Sequence, residues 1–244
     1  MSKRGVLYIK WGEVSEMLKR SMESVKKYHP ELPIHVQDYP AGSNLLIKAN
    51  MLDVTPFEET LFLDIDTVVL GRLDYGFEKA AQAGLACCIC ECPWARRHRG
   101  LNDAGDMVEY NTGVLFFTKK AKPVFDKWKE WAPKIDSATP FIGPGEAGMQ
   151  EIDDQAAFAK AVEESGFVPF VLPMNWNWRP PLQPAFFGPI KIHHTYDPVM
   201  PGMDVWNADQ SKAGNVIRYA WLQKTIVRGQ EPKNAGDISK VAGP

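Results

Sequence analysis

The spacing of apolar residues changes period repeatedly along the chain. Gly5-Val-Leu-Tyr-Ile-Lys10 is a strand-length apolar run, and Met17, Leu18, Met22 and Val25 then fall at helical spacing. Ser15 is placed to cap that helix, which runs to about Tyr28, and His29-Pro30 to stop it. Leu32 to Gln37 predicts a second strand, Leu45 to Leu52 a helix, and Leu61 to Leu70 a buried strand rich in β-branched residues. Phe77 to Ala83 predicts a helix, and Gly84 to Cys90 and Tyr110 to Phe117 predict strands. Helices follow at about Pro123 to Trp131 and Asp153 to Ser165, the second ended by Gly166, and Phe167 to Leu172 predicts another strand.

Strands alternating with helices predict one α/β domain, with a mixed, mostly parallel sheet flanked by helices on both faces. Thr139 to Gly148, rich in Pro and Gly, predicts a long irregular loop. Trp176 to Pro201 is expected to wrap irregularly, and Ala213 to Val227 to form a final helix. The domain is expected to span residues 1–229, leaving 230–244 as a flexible tail.

Two acids interrupt the apolar run Leu61-Phe-Leu-Asp-Ile-Asp-Thr-Val-Val-Leu70. Residues two apart on a strand share a face, so Asp64 and Asp66 are expected to project together. Adjacent carboxylates in apolar surroundings repel and lose solvation unless a cation or hydrogen-bond donors compensate. A hard divalent metal is the simplest compensation. The plainer reading has one Asp capping a turn and the other solvated, and it accounts less well for a pair inside an unbroken apolar run.

Composition narrows the function classes. The 244 residues are 45% apolar and 24% charged, as in an ordinary globular protein. A formal net charge of −2 supplies no basic excess to neutralise phosphates, which argues against nucleic acid as the main partner. No run reaches the roughly 18–20 apolar residues of a transmembrane span. Charge returns too soon after the N-terminal residues for a signal-peptide core, so a cytoplasmic protein is expected. Cys87, Cys88, Cys90 and Cys92 crowd into one predicted strand without paired Cys-x-x-Cys spacing, and are read as reduced, mostly packing thiols.

Two enzyme classes use an Asp-x-Asp strand. Asp64-Ile-Asp-Thr-Val68 fits the haloacid-dehalogenase-like phosphatases, with Asp64 as nucleophile and Asp153-Asp154 as a later metal-binding pair, but there the motif usually ends the domain's first strand. Here a strand-helix-strand unit precedes it, as in the A-type (GT-A) glycosyltransferases. The chain resembles retaining glycosyltransferase family 8, with a glycogenin-like character, in several segments in order. Leu61 to Glu78 resembles that family's strand, metal motif and following turn, and Asn111-Thr-Gly-Val-Leu resembles its Asn-Ser/Ala-Gly-Val strand. Asp154-Gln155, Pro173-Met-Asn175-Trp-Asn177 and Ile192-His193 resemble its later motifs, and Lys48 stands where the family places a basic residue.

The resemblance implies transfer of a hexose from a UDP-sugar, UDP-glucose or UDP-galactose, with retention. The acceptor would be a glycan, a lipid-linked sugar, a protein side chain or a small molecule. It implies Mn²⁺ or Mg²⁺ on Asp64, Asp66 and a histidine; His193 fits the family position better, with His194 adjacent. An imidazole ligand favours Mn²⁺. Lys48 would lend charge to the departing diphosphate, Asn111 and Asp154 would bind donor hydroxyls, and Gln155 would face the anomeric carbon. An inverting reaction would instead make Asp153 or Asp154 the general base. Trp11 lies near the place of the nucleobase-stacking aromatic. Residues 1–75 would form the nucleotide half and 76–229 the acceptor half.

The sequence departs from the family at His193-His-Thr-Tyr-Asp-Pro198, where the phosphate-clamping Lys is missing. Lys191 or the Arg96-Arg97-His98-Arg99 loop is expected to stand in, although such a charge run is more commonly a solvated loop. The missing clamp also admits a nucleotide-sugar-binding protein without strong transferase activity. Trp176 and Trp178 are more readily core residues than a sugar-stacking platform.

Overall fold

The computed structural model describes residues 3–91, 106–135, 139–143, 146–150, 152–183, 185–212 and 219–221. Strand β1 (Arg4–Trp11) leads through helix α1 (Ser15–Tyr28) to β2 (Ile34–Tyr39). A 3-10 turn at Leu45–Asn50 runs into the single-turn α2 (Met51–Val54), then β3 (Glu59–Leu63) and β4 (Thr67–Val69). Next come α3 (Asp74–Ala83), β5 (Leu85–Ile89), β6 (Tyr110–Thr118), α4 (Lys122–Trp131), β7 (Thr139–Gly143) and β8 (Glu146–Gln150). Helix α5 (Gln155–Ser165), β9 (Phe170–Leu172), β10 (Ala185–Phe187), β11 (Ile192–His194), α6 (Met203–Gln210) and β12 (Tyr219–Trp221) complete the described elements.

Six strands form one sheet in the order β2-β1-β3-β6-β5-β9. Only β6 runs against its neighbours, so the sheet is mixed and mostly parallel, as expected. Alternation sends Leu7, Ile9, Phe62, Leu115 and Phe117 to one face, where α4 and α5 cover them with Phe125, Trp128 and Phe158. Val6, Tyr8, Leu61, Val114 and Phe116 point to the other face, under Leu18 and Val25 of α1 and Phe77 of α3. Trp128 is fully buried, with its ring centroid 4.7 Å from that of Phe158; losing such a ring costs about 3–5 kcal/mol. Helix α5 stops at Gly166, whose φ of +63° is the left-handed conformation that glycine adopts most cheaply.

Several local expectations are corrected. The capping position of α1 is Val14, and Ser15 is the first helical residue. The run from Leu61 to Leu70 is two strands, not one: β3 stops at Leu63, and β4 leaves the main sheet to pair antiparallel with β11. Thr139 to Gly148 is not an irregular loop; β7 and β8 form an antiparallel hairpin in which Thr139 faces Gln150. Backbone pairing there outweighs the local Pro and Gly signal. Tyr219–Trp221 is a strand paired with β10 rather than part of a helix. The rest of the predicted 213–227 helix, residues 230–244, Cys92 and the Arg96-Arg97-His98-Arg99 loop lie outside the described residues. Cys87, Cys88 and Cys90 are buried, and burial pushes the Cys88 thiol far up, as expected of packing thiols.

Candidate active site

The chain turns between β3 and β4, and this turn gathers the two acids. The Asp64 amide extends the β3–β6 ladder by donating to Gly113 O at 2.8 Å. The Thr67 hydroxyl donates to Asp64 O at 2.7 Å, closing the turn. Two buried serines of α1 hold the outgoing strand: Ser21 Oγ is 3.0 Å from Thr67 Oγ1, and Ser24 Oγ accepts the Val69 amide at 2.8 Å. The carboxylates therefore converge through a pinned turn rather than through strand alternation.

Strand β11 brings the third group. Its antiparallel register sets His194 opposite Thr67 and His193 opposite Val68. Neighbouring residues on a strand project oppositely, so one histidine reaches the acids. That residue is His194, with Nε2 3.3 Å from Asp66 Oδ1 and 3.8 Å from Asp64 Oδ2. The expectation that favoured His193 is corrected: its ring packs edge-on against Trp178 with centroids 5.5 Å apart. Asp64, Asp66 and His194 each offer a ligand atom, all within 4.8 Å of one another, which suits a shared cation. Burial works against the Asp66 carboxylate, but His194 beside it holds its pKa below the ordinary value.

Buried Lys48, from the 3-10 turn, places Nζ 2.8 Å from Asp64 Oδ1 and 3.8 Å from Asp154 Oδ2. Burial opposes its charge, yet Asp154 and Asp64 hold it protonated with a raised pKa. Asp154 precedes α5, accepts the Thr112 hydroxyl at 2.7 Å, and is pushed up to about 6, mainly by burial and despite Lys48. Asp153 Oδ1 accepts the Gln155 amide at 2.6 Å, which fixes the start of α5. Gln155 Oε1 accepts from Asn111 Nδ2 at 2.7 Å.

These groups line a cavity of about 560 Å³, together with Ile9, Trp11, Arg179, Leu182 and Tyr196. Gly113 is required by close approach: a Cβ there would lie 2.3 Å from His194 Cε1 and 2.7 Å from Asp64 Oδ2. Trp11, Lys48, Asp64, Asp66, Asn111, Asp154, Gln155 and His194 all line this cavity, and His193 does not. Lys191 does not line it and sits beside Gly71, in the field of Asp74. Trp176 and Trp178 are core residues. Arg179, which donates to Glu91 Oε1 at 2.7 Å, and the exposed Tyr196 were not singled out from sequence, because no local pattern places them at this wall. A larger groove of about 1010 Å³ along α1 is lined mainly by Val14, Leu18, Met22, Ile34 and lysine side chains, without an acid–histidine set.

No family model matches the chain, and no curated protein matches it by sequence. Solved structures do match in fold. The glycosyltransferase GlyE of Streptococcus pneumoniae TIGR4 aligns over 87% of this chain at 16% identity, with a TM-score of 0.52. The alignment spans 61% of GlyE, less than two thirds of that protein. The galactosyltransferase LgtC, solved with donor and acceptor sugar analogues, aligns over 80% of this chain and 87% of its own at 14% identity, TM-score 0.52. A glycosyltransferase involved in glycosylation of the major capsid of PBCV-1 aligns over 86% of this chain and 100% of its own at 13% identity, TM-score 0.50. The fold is that of the GT-A glycosyltransferases.

Proposed function

We propose that the protein is a divalent-metal-dependent glycosyltransferase that moves a hexose from a UDP-sugar to an acceptor, with retention. The observation that carries this reading is the convergence of Asp64, Asp66 and His194 within 4.8 Å at one wall of the cavity. Three carboxylates, Asp64, Asp66 and Asp154, surround one ammonium, Lys48, leaving excess negative charge that a cation would offset. The donor set of two carboxylates and an imidazole suits Mn²⁺ better than Mg²⁺. When bound, the metal would neutralise charge on the diphosphate. A volume of about 560 Å³ is in the range of small-molecule sites.

The protein's own groups then take distinct roles. Trp11, at the end of β1, offers a ring to the base. Lys48 supplies fixed positive charge beside the leaving group and moves no proton. Asn111 and Asp154 bind donor hydroxyls, and Gln155 presents its side-chain amide to the reacting carbon. Residues 1–75 contribute the nucleotide wall, and the later half contributes Arg179, Leu182 and Tyr196 on the acceptor side. The GT-A fold favours this over the phosphatase reading. A nucleotide-sugar binder without turnover is the second reading, favoured by the position of Lys191 away from the cavity.

Calorimetric titration of UDP with and without Mn²⁺, on the wild type and on Asp66→Ala, tests the proposal. Metal-dependent UDP binding that Asp66→Ala abolishes is expected; absence of UDP binding with every divalent metal would overturn it. Loss of hexose from UDP-glucose or UDP-galactose separates the transferase from the non-transferring binder.

A further inference from the structure

A line of buried side chains runs from the acid corner to Gln155, and its hydrogen bonds all point one way. His194 Nδ1 lies 2.7 Å from Asn177 Oδ1. Asn177 Nδ2 donates to Asn111 Oδ1 at 2.7 Å, Asn111 Nδ2 donates to Gln155 Oε1 at 2.7 Å, and Gln155 Nε2 reaches Cys90 Sγ at 3.7 Å. The polarity is forced by one backbone group. The Gly113 N–H can only donate, and it donates to Asn111 Oδ1 at 2.9 Å, so that atom must be the carbonyl oxygen. Asn111 therefore turns its NH₂ to Gln155, and Asn177 must give its NH₂ to Asn111 and its carbonyl to His194. An acceptor at Nδ1 holds a proton there, so Nε2, the atom that faces Asp64 and Asp66, is the nitrogen a cation can take.

Resting on the transferase reading of the cavity, we infer that Asn177 is a positioning residue serving both ends of the site. Through His194 it fixes the tautomer that can ligate a divalent cation. Together with the Gly113 N–H it holds the Asn111 amide, which in turn orients the Gln155 amide. All four residues are buried, so water does not offer an easy substitute for any link. Asn111 comes from β6, Gln155 from the start of α5, Asn177 from the turn that follows β9 and His194 from β11, so the bonds tie four separate segments into one arrangement.

The test is ¹⁵N-resolved NMR of the metal-free protein, combined with Mn²⁺ titration. Wild-type His194 is expected to carry a proton on Nδ1, and an unprotonated Nδ1 would overturn the inference without any variant. Asn177→Ala should move His194 toward the Nε2–H tautomer and weaken Mn²⁺ about 10- to 100-fold; an unchanged tautomer and affinity would sink it. Asn111→Asp keeps an acceptor for Asn177 and Gly113 but removes the donor to Gln155. It should shift the Gln155 side-chain amide resonances while His194 keeps its tautomer, and unmoved Gln155 resonances would break the second half of the relay. A wild type that binds no UDP but shows these NMR results would sink the transferase reading and leave the relay standing.

Discussion

Among the described residues, two places bring a histidine and two carboxylates within 4.8 Å of one another, and they are chemically different. At His29, Glu31 and Asp74 one guanidinium already serves both carboxylates. Arg72 grips Asp74 through Nε and Nη2, both at 2.9 Å, and reaches Glu31 at 3.0 Å. The His29 lone pair is also taken, because Nε2 accepts the Leu73 amide at 2.8 Å. At Asp64, Asp66 and His194, Nε2 faces the acids rather than a backbone amide, and Lys48 is shared between Asp64 and Asp154. One cluster is a half-exposed ion-pair network that ties α1 to α3, and the other is a buried corner with charge left over. Ligand spacing is common to both; an Nε2 not committed to a backbone amide and a larger excess of carboxylates distinguish the second.

The largest effect expected is from Gly113→Ala, because the new methyl would fall 2.3 Å from the His194 ring and displace it from the acids. Mn²⁺ affinity measured by calorimetry should fall about 100-fold or more. Retained affinity would mean that His194 is not held where the contrast requires.

Next is Lys48→Met, which leaves Asp64 and Asp154 without their buried cation. Breaking a buried pair from one side costs about 3–5 kcal/mol. Urea unfolding should show a loss of that order in the metal-free protein, and saturating Mn²⁺ should restore part of it by replacing the missing charge. A loss that Mn²⁺ does not touch would indicate that metal and lysine do not share a field.

A smaller effect is the pH dependence of the metal-free fold. Burial raises Asp154 from 3.8 to about 6, so the folded protein keeps a proton that the unfolded chain has released. That contribution to stability is complete below pH 4 and is lost as pH rises toward 6, by about 1–3 kcal/mol. The depressed Asp66 acts in the opposite sense, losing its contribution only as pH falls below its ordinary 3.8, so the two windows separate. Asp154→Asn should flatten the decline between pH 4 and 6 in urea titrations; an unaltered slope would assign it to another group.

The smallest effect belongs to the other cluster. Arg72→Met unmasks Glu31 and Asp74 yet leaves His29 Nε2 committed to the Leu73 amide. Mn²⁺ stoichiometry should stay at its wild-type value, and a second bound ion would erase the distinction between the two sites.

Much of this arrangement was legible in the chain. The alternation of strand and helix periods is a local property, and it located most of the sheet and the covering helices. Asp64 and Asp66 announced themselves because carboxylates inside an apolar run demand an explanation. Asn111, Asp154, Gln155 and Lys48 were found through a pattern spread over most of the chain, and all four meet at the cavity. The Thr139–Gly148 segment was misread because its Pro and Gly content speaks for irregular backbone, while the hairpin comes from pairing with residues up to Gln150.

The sequence by itself determined the layered α/β plan and which short motifs carry charge, because periodicity and isolated buried acids are written in neighbouring residues. Only the tertiary structure decided that the acids converge at a turn, that His194 rather than His193 meets them, and that Asn177 joins both to Gln155. The register of β11 against β4 sets which imidazole faces the acids, and a shift of one residue would exchange them. Asn177 and Asn111 meet across 66 residues of chain. No local preference encodes such a contact, because it exists only once the strands that carry it have paired.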